Sequence, residues 1–259
     1  MRRLLLAGTI LAGLLASSQS IAQGASAPAT PDRDPEAMAA LDKMGAALRK
    51  LSTAEVRADI TSEEVLASGQ KLQFGGTATM TVVRPNKLRA TIHTSRHDRE
   101  IYYNGSNLTL YSPSLGYYAS FKTPGTIRET IALAGDRYDI QIPLFELADW
   151  GADQSLAAKV QTAFRVGSDA VNGKICTHYA VRQPGVDWQI WLNEAGDSLP
   201  CKLVITNRLD PAMPQYSSTY TWLQPRRVAP ADFNFTPPKG AHEIAIATVE
   251  EEAAAKGEK

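Results

Sequence analysis

Gly173–Thr206 reads GKICTHYAVRQPGVDWQIWLNEAGDSLPCKLVIT, and its pattern decides the fold. Three runs alternate in side-chain character: Ile175–Arg182, Val186–Asn193 and Cys201–Thr206. Pro184-Gly185 separates the first two, and the polar loop Glu194-Ala195-Gly196-Asp197-Ser198 separates the second from the third. Alternation bounded by such breakers marks successive β-hairpins. If Pro184-Gly185 is a two-residue turn, Arg182 faces Asp187, Val181 faces Trp188, Tyr179 faces Ile190 and Thr177 faces Leu192. Side chains along a strand point to opposite faces in turn. Tyr179, Val181, Trp188, Ile190 and Leu192 therefore share an apolar face, with His178, Gln189, Trp191 and the Arg182–Asp187 pair on the mixed one. The apolar face serves a core or a ligand.

Working outward toward the N-terminus, the period of two recurs in Val56–Leu66, Lys71–Val83, Lys87–Thr94, Arg99–Asn104, Leu108–Ser112 and Tyr117–Lys122. The connections are short, so an antiparallel meander is the economical topology. Before it, Asp34-Pro35-Glu36 opens a helix with an N-cap, a proline at the first helical position and an acid in the first turn. Met38, Leu41, Met44, Leu48 and Leu51 give that helix an apolar stripe. Between the two groups of strands, residues 126–149 read as two short helices joined at Ala134–Tyr138. Strands then run from Thr162–Val171 through the opening stretch to Gln215–Leu223. The expected fold is mainly β (α+β). It is one strongly curved antiparallel sheet of about 10–11 strands forming a half-open barrel, its concave face covered by the N-terminal helix and the helical insertion.

The chain begins MRRLLLAGTILAGLLASSQSIAQ, with two arginines, a short apolar run and a small-x-small site at Ser20-Ile21-Ala22. This is the pattern of a secretory signal peptide, residues 1–22, and it places the protein in the periplasm. An uncleaved anchor is the alternative, which the short apolar run disfavours. Residues 23–33 read as a flexible tether, 34–249 as a single domain and 250–259 as a charged, solvated tail. The chain carries 27 basic and 27 acidic residues, and loss of Arg2 and Arg3 with the leader leaves a small net negative charge. That balance offers no footprint for nucleic acid.

Two cysteines, Cys176 and Cys201, are the candidate disulfide in an oxidising compartment. One whole strand lies between them, which puts their Cα atoms more than about 9 Å apart in a regular ladder, beyond disulfide reach. A bulge or a frayed strand end would bring them together; otherwise they are separate thiols. His93 and His97 lack the glutamate and the helix of a zinc-protease motif. No nucleophile elbow, phosphate-cradling loop or Cys-x-x-Cys pair is present. No catalytic residue, metal site or cofactor is expected, and a monomer is the expected state.

What remains is apolar surface. Phe74, Met80, Leu88, Ile92, Leu110, Ile131, Leu144, Trp188, Ile190 and Tyr220 are the candidates to line a hydrophobic cavity between sheet and helices. The bland alternative makes each an ordinary core residue.

Several stretches resemble a known family. They are Cys176–Arg182, Asp187–Trp191, Leu199–Thr206, Pro214-Gln215-Tyr216 and Phe233-x-Phe-x-Pro-Pro-x-Gly-Ala241. Together they are similar to a family of predicted periplasmic proteins that is itself similar in fold to the LolA/LolB lipoprotein carriers. The resemblance implies a half-open barrel with a helical lid and non-enzymatic binding of lipid or of an acylated protein. An envelope or membrane protein partner, bound by a module with a self-filled core, is the second expectation.

Overall fold

Two β-meanders run outward from a shared centre. The structure, a computed structural model, describes residues 33–96, 98–140, 142, 144, 147, 150, 154–224 and 227–257. The leader expected at 1–22 and the tether expected at 23–33, apart from Arg33, lie outside the described residues. The first meander comprises β1 (Thr53–Val65), β2 (Lys71–Val83), β3 (Lys87–Thr94), β4 (Asp98–Tyr103), β5 (Asn107–Ser112) and β6 (Tyr117–Lys122). The second comprises β7 (Thr162–Val171), β8 (Lys174–Gln183), β9 (Val186–Asn193), β10 (Pro200–Asn207) and β11 (Gln215–Leu223). β1 pairs with β11, Ala58 opposite Tyr220, and this joins the meanders into one unclosed sheet in the order β12-β6-β5-β4-β3-β2-β1-β11-β10-β9-β8-β7.

The twelfth strand is one more than the sequence indicates. It is the pair His242–Glu243 (β12), and it lies parallel to β6. The segment from Phe233 crosses the outer face to reach that edge. Phe233 is buried, and Phe235 stacks among Tyr102, Tyr111 and Tyr118 at centroid distances of 5.1–5.4 Å. The Phe-x-Phe-x-Pro-Pro motif is thus a strap.

The register of the β8–β9 hairpin is the one the turn at Pro184-Gly185 dictates: Arg182↔Asp187, Val181↔Trp188, Tyr179↔Ile190 and Thr177↔Leu192. Gly185 supplies the positive φ of the turn. Arg182 donates twice to Asp187, from Nε and Nη2, at 2.7 Å each, and this holds the aspartate's carboxyl below its ordinary range.

On the outer face Cys176 and Cys201 form a disulfide across β9, with Cα atoms 6.7 Å apart. A regular ladder would not allow this. Between Pro200↔Leu192 and Lys202↔Trp191 the register shifts, so Cys201 is the extra residue of a bulge in β10. The two half-cystines pack with Trp191, Val171 and Val204 in a small cluster of their own.

Helix α1 (Pro35–Lys50) is capped by Asp34, whose carboxylate accepts from Glu36 N at 2.9 Å. It buries Ala37, Leu41, Met44, Gly45 and Leu48 against the sheet's inner face. Each large apolar side chain so buried contributes roughly 1.5–3 kcal/mol. Helix α2 (Ile127–Tyr138) is N-capped by Thr126, whose Oγ1 accepts from Glu129 N at 3.3 Å and donates to Glu129 Oε2 at 2.6 Å. It corrects the expected break at Ala134–Tyr138: the helix runs through these residues and stops at Asp139, in the left-handed conformation with its N–H on the last carbonyls. The charged tail is likewise a helix, α3 (Val249–Gly257), capped by Thr248 and Glu251. Its described residues are exposed. From residues 140–150, Ile140, Ile142, Leu144 and Leu147 join α1 and the strands in one buried cluster.

Both sheet edges are blunted. Asp34 N donates to Ala163 O on the edge strand β7, which also carries a bulge between Arg165 and Gly167. In the middle of β2 a Cβ on Gly76 would lie 2.3 Å from the His93 carbonyl oxygen, so the strands approach there as only glycine allows.

Two stability measurements follow from these contacts. Replacing both cysteines by alanine should lower stability by about 3 kcal/mol, a fall in Tm on the order of 10 °C for a domain of this size. Thermal melts with and without reductant check it. Gly76→Ala should cost roughly 1–3 kcal/mol in urea denaturation. Gly75→Ala, whose Cβ has Ile60 O at 4.0 Å as its near neighbour, should be far milder.

Candidate ligand-binding face

The inner face of the sheet is assembled from cross-strand neighbours. Met80 lies opposite Val56 and Ala90, Leu88 opposite Val82 and Tyr103, and Tyr220 opposite Ala58. On the second meander Trp188 lies opposite Val181 and Ile205, and Ile190 opposite Tyr179 and Leu203. Alternation along each strand delivers these side chains to one surface, and α1 with Ile140, Ile142, Leu144 and Leu147 packs over it.

The ten residues singled out in the sequence separate into two groups. Met80, Leu88, Leu144, Trp188, Ile190 and Tyr220 are all buried in the central cluster, with Leu110 and Ile131 half-buried against it. Phe74 and Ile92 are half-buried toward the end of the sheet where β1 turns into β2. The Arg96 guanidinium lies over the Phe74 ring at 5.0 Å and is ion-paired with Glu64.

The polar atoms of the apolar face have partners. Trp188 Nε1 donates to Gln183 Oε1 at 3.0 Å, and its ring meets Trp150 edge-on at 5.3 Å. Ser218 donates to the Tyr220 hydroxyl at 2.5 Å. Burial pushes the Tyr103 hydroxyl up, and it donates to Pro124 O at 2.8 Å.

Beneath the C-terminal end of α1, Leu48, Leu51, Val56, Met80, Leu147 and Trp222 surround an apolar slot of about 20 Å³, room for about one water molecule. Arg84 also lines it. A cleft of about 610 Å³ opens beside it, between Lys43, Lys50 and the loop Gly196–Leu199. A third space of about 90 Å³ lies between Trp222, Leu199 and Lys174. The sequence reading passed over Arg84 and the end of α1. The available signal was three cations, Lys43, Arg49 and Lys50, at helical spacing beside an arginine at a strand end.

On the outer face His178 stacks flat on Trp191, 3.9 Å between centroids and 10° between planes. Trp191 Nε1 donates to Asp169 Oδ2 at 2.7 Å, and Lys202 covers the indole at 4.8 Å. His178 Nε2 lies 3.0 Å from Gln189 Oε1. Burial holds the imidazole's pKa below its ordinary value, against the pull of Gln189 and Asp169. His178 is a packed residue here. His97 lies outside the described residues. Among the described residues no three His, Cys, Asp or Glu side chains gather as a metal would require.

The chain belongs to the family described as predicted periplasmic protein, DUF2092, which matches residues 37–247. The family indicated by the sequence motifs is thereby borne out, as is the periplasmic location. No helix among the described residues is long and apolar enough to cross a membrane. No curated protein matches the chain. Among solved structures, it is similar to the lipoprotein LppX of Mycobacterium tuberculosis at 13% identity and a TM-score of 0.45, over 76% of this chain and 100% of that one. LprF of Mycobacterium bovis matches at 19% and 0.45, over 82% and 100%. MucB in the MucA/MucB complex of Pseudomonas aeruginosa matches at 14% and 0.41, over 78% and 61%. Likenesses at this level say nothing of a ligand or a partner.

The lowered pKa of His178 sets a sign. The folded state binds its proton less readily than the unfolded chain, so acidification through the ordinary histidine range costs stability that is intact above it. Urea midpoints of the wild type should fall between pH 7.5 and pH 5 by more than those of His178→Gln. A rise in the wild type relative to that variant would mean that the Asp169 attraction outweighs burial.

Proposed function

We propose that this protein is a non-enzymatic periplasmic carrier or sensor that holds a hydrophobic ligand, a lipid or the acyl chain of a lipoprotein. The ligand lies between the inner face of the sheet and the cover formed by α1 with Ile140, Ile142, Leu144 and Leu147. In this reading residues 1–22 are the export leader, 23–33 a tether and 34–249 the binding domain.

One observation supports it above others. The inner face is apolar from Ile101 on β4 to Val181 on β8, and what covers it is helix and irregular chain. Ladder hydrogen bonds hold the sheet together without that cover, whereas the cover is held largely by apolar contact, which has no direction. An acyl chain can therefore replace Leu144 or Leu147 against Met80 and Trp188 while the sheet stays whole. Each methylene buried contributes about 0.8 kcal/mol, so ten supply about 8 kcal/mol before the costs of binding and of displacing the cover.

The small size of the slot beneath α1, room for about one water molecule, favours a second reading. There the inner face is a self-filled core, and the outer face docks a protein of the envelope. Uptake of a fluorescent fatty acid by the mature chain, with native mass spectrometry of protein purified from its own periplasm, separates the two. Leu144→Ala removes a fully buried side chain from the cover and should raise fatty-acid uptake several-fold if the space beneath it is the site. No uptake by either form, with a stoichiometric protein partner copurifying, would favour the docking module.

A further inference from the structure

Three spaces meet at the end of the molecule where α1 stops, β1 begins and β2 ends. The apolar slot of about 20 Å³ and the cleft of about 610 Å³ share Leu51 as a wall. The cleft shares Leu199 and Asp197 with the space of about 90 Å³, and that space shares Trp222 with the slot. Leu51, Leu199 and Trp222 are all half-buried, and all pack against the central cluster. They form a partition between the open cleft and the apolar interior.

The three side chains are held differently. Trp222 is fixed, since its Nε1 donates to Pro200 O at 2.8 Å. Leu199 lies in the β9–β10 loop, where its N–H donates to Asp197 Oδ1 and its carbonyl accepts from Asn193 N, each at 3.1 Å. Leu51 caps α1 in an extended conformation, and its N–H donates to Leu48 O at 3.3 Å. Both leucine backbones are thus tied, while the side chains are held by apolar contact alone, which has no direction. Rotation of two side chains changes the width of the passage with no movement of the sheet. The opposite end of the inner face is covered by charge instead: the Arg96 guanidinium lies over the Phe74 ring at 5.0 Å and pairs with Glu64.

We infer that this partition is the entrance for the acyl chain of a single-chain amphiphile, with Leu51 and Leu199 as the gate beside Trp222. The polar end stays in the cleft, whose walls carry Lys43, Lys50, Asp197 and Ser198. The chain passes Leu51 into the slot beside Met80 and Leu147. The volume of the cleft falls within the range of about 300–1,000 Å³ typical of ligand sites. The slot has room for about one water molecule, so the advancing chain must part Leu147 from Met80. The inference rests on the carrier reading and adds the class of ligand and its route to the inner face.

Stopped-flow uptake of cis-parinaric acid, a fluorescent single-chain fatty acid, by the mature chain tests it. Leu51→Ala and Leu199→Ala should each speed association and release about fivefold, because each removes bulk from the passage and lowers the barrier in both directions. Kd should stay within about twofold of the wild-type value. Ala47→Trp, which places an indole on the cleft wall, should slow association and release about threefold. Leu110→Ala is the control: Leu110 is likewise half-buried against the same cluster but stands on β5, away from the gate. It should leave both rates as in the wild type. Acceleration by Leu110→Ala equal to that by Leu51→Ala would mean general loosening of the core and would overturn the gate. Wild-type rates in Leu51→Ala, Leu199→Ala and Ala47→Trp would overturn it too. In both cases the bound probe leaves the carrier standing. Binding of the probe by no form of the protein would overturn the carrier and the entrance together.

Discussion

Everything in this fold depends on the antiparallel pairing of β1 with β11. These strands are about as far apart in sequence as the domain allows, and their ladder runs from Glu55↔Leu223 to Ser62↔Tyr216. Without it the chain would be two meanders, each with a bare inner edge open to foreign strands. With it there is one sheet whose two halves present a common apolar face, and α1 with Ile140, Ile142, Leu144 and Leu147 belongs to the same buried cluster as both halves. Closing so long a loop costs little more than closing a short one, because loop entropy grows only logarithmically with length. The burden falls on folding speed, since contacts remote in sequence form late.

Around that seam the two faces are treated differently. The inner face is greasy and covered by helices. The outer face is local and strapped: Phe235 wedges among three tyrosines, the disulfide crosses β9, and His178 lies flat on Trp191. These outer devices fix the sheet's shape while leaving the inner cover attached by packing.

Much of the fold was legible in the sequence because its signals are short-range. Alternation gave the strands, Pro184-Gly185 gave the hairpin register to the residue, and Asp34-Pro35-Glu36 gave the start of α1. Where the reading erred, a contact from elsewhere had intervened. Residues Ala134–Tyr138 look like a joint because of Gly135 and Asp136, yet burial of Ala134 against the core carries the helix through them. His242–Glu243 becomes a strand because the Phe235 strap delivers it to the edge of β6. The candidate lining residues were recognisable as one apolar surface, and eight of the ten lie in or against a single cluster. Their separation from Phe74 and Ile92 follows from where the helices end, which no local pattern encodes.

The sequence by itself determined which residues form strands and helices, which face of each strand is apolar, and which family the chain belongs to, because periodicity, caps and turn residues act within a few positions. Tertiary structure alone decided the pairing of β1 with β11 and the closure of Cys176 onto Cys201. The first depends on two segments finding each other across the whole domain. The second depends on a one-residue bulge that moves Cys201 out of the regular ladder.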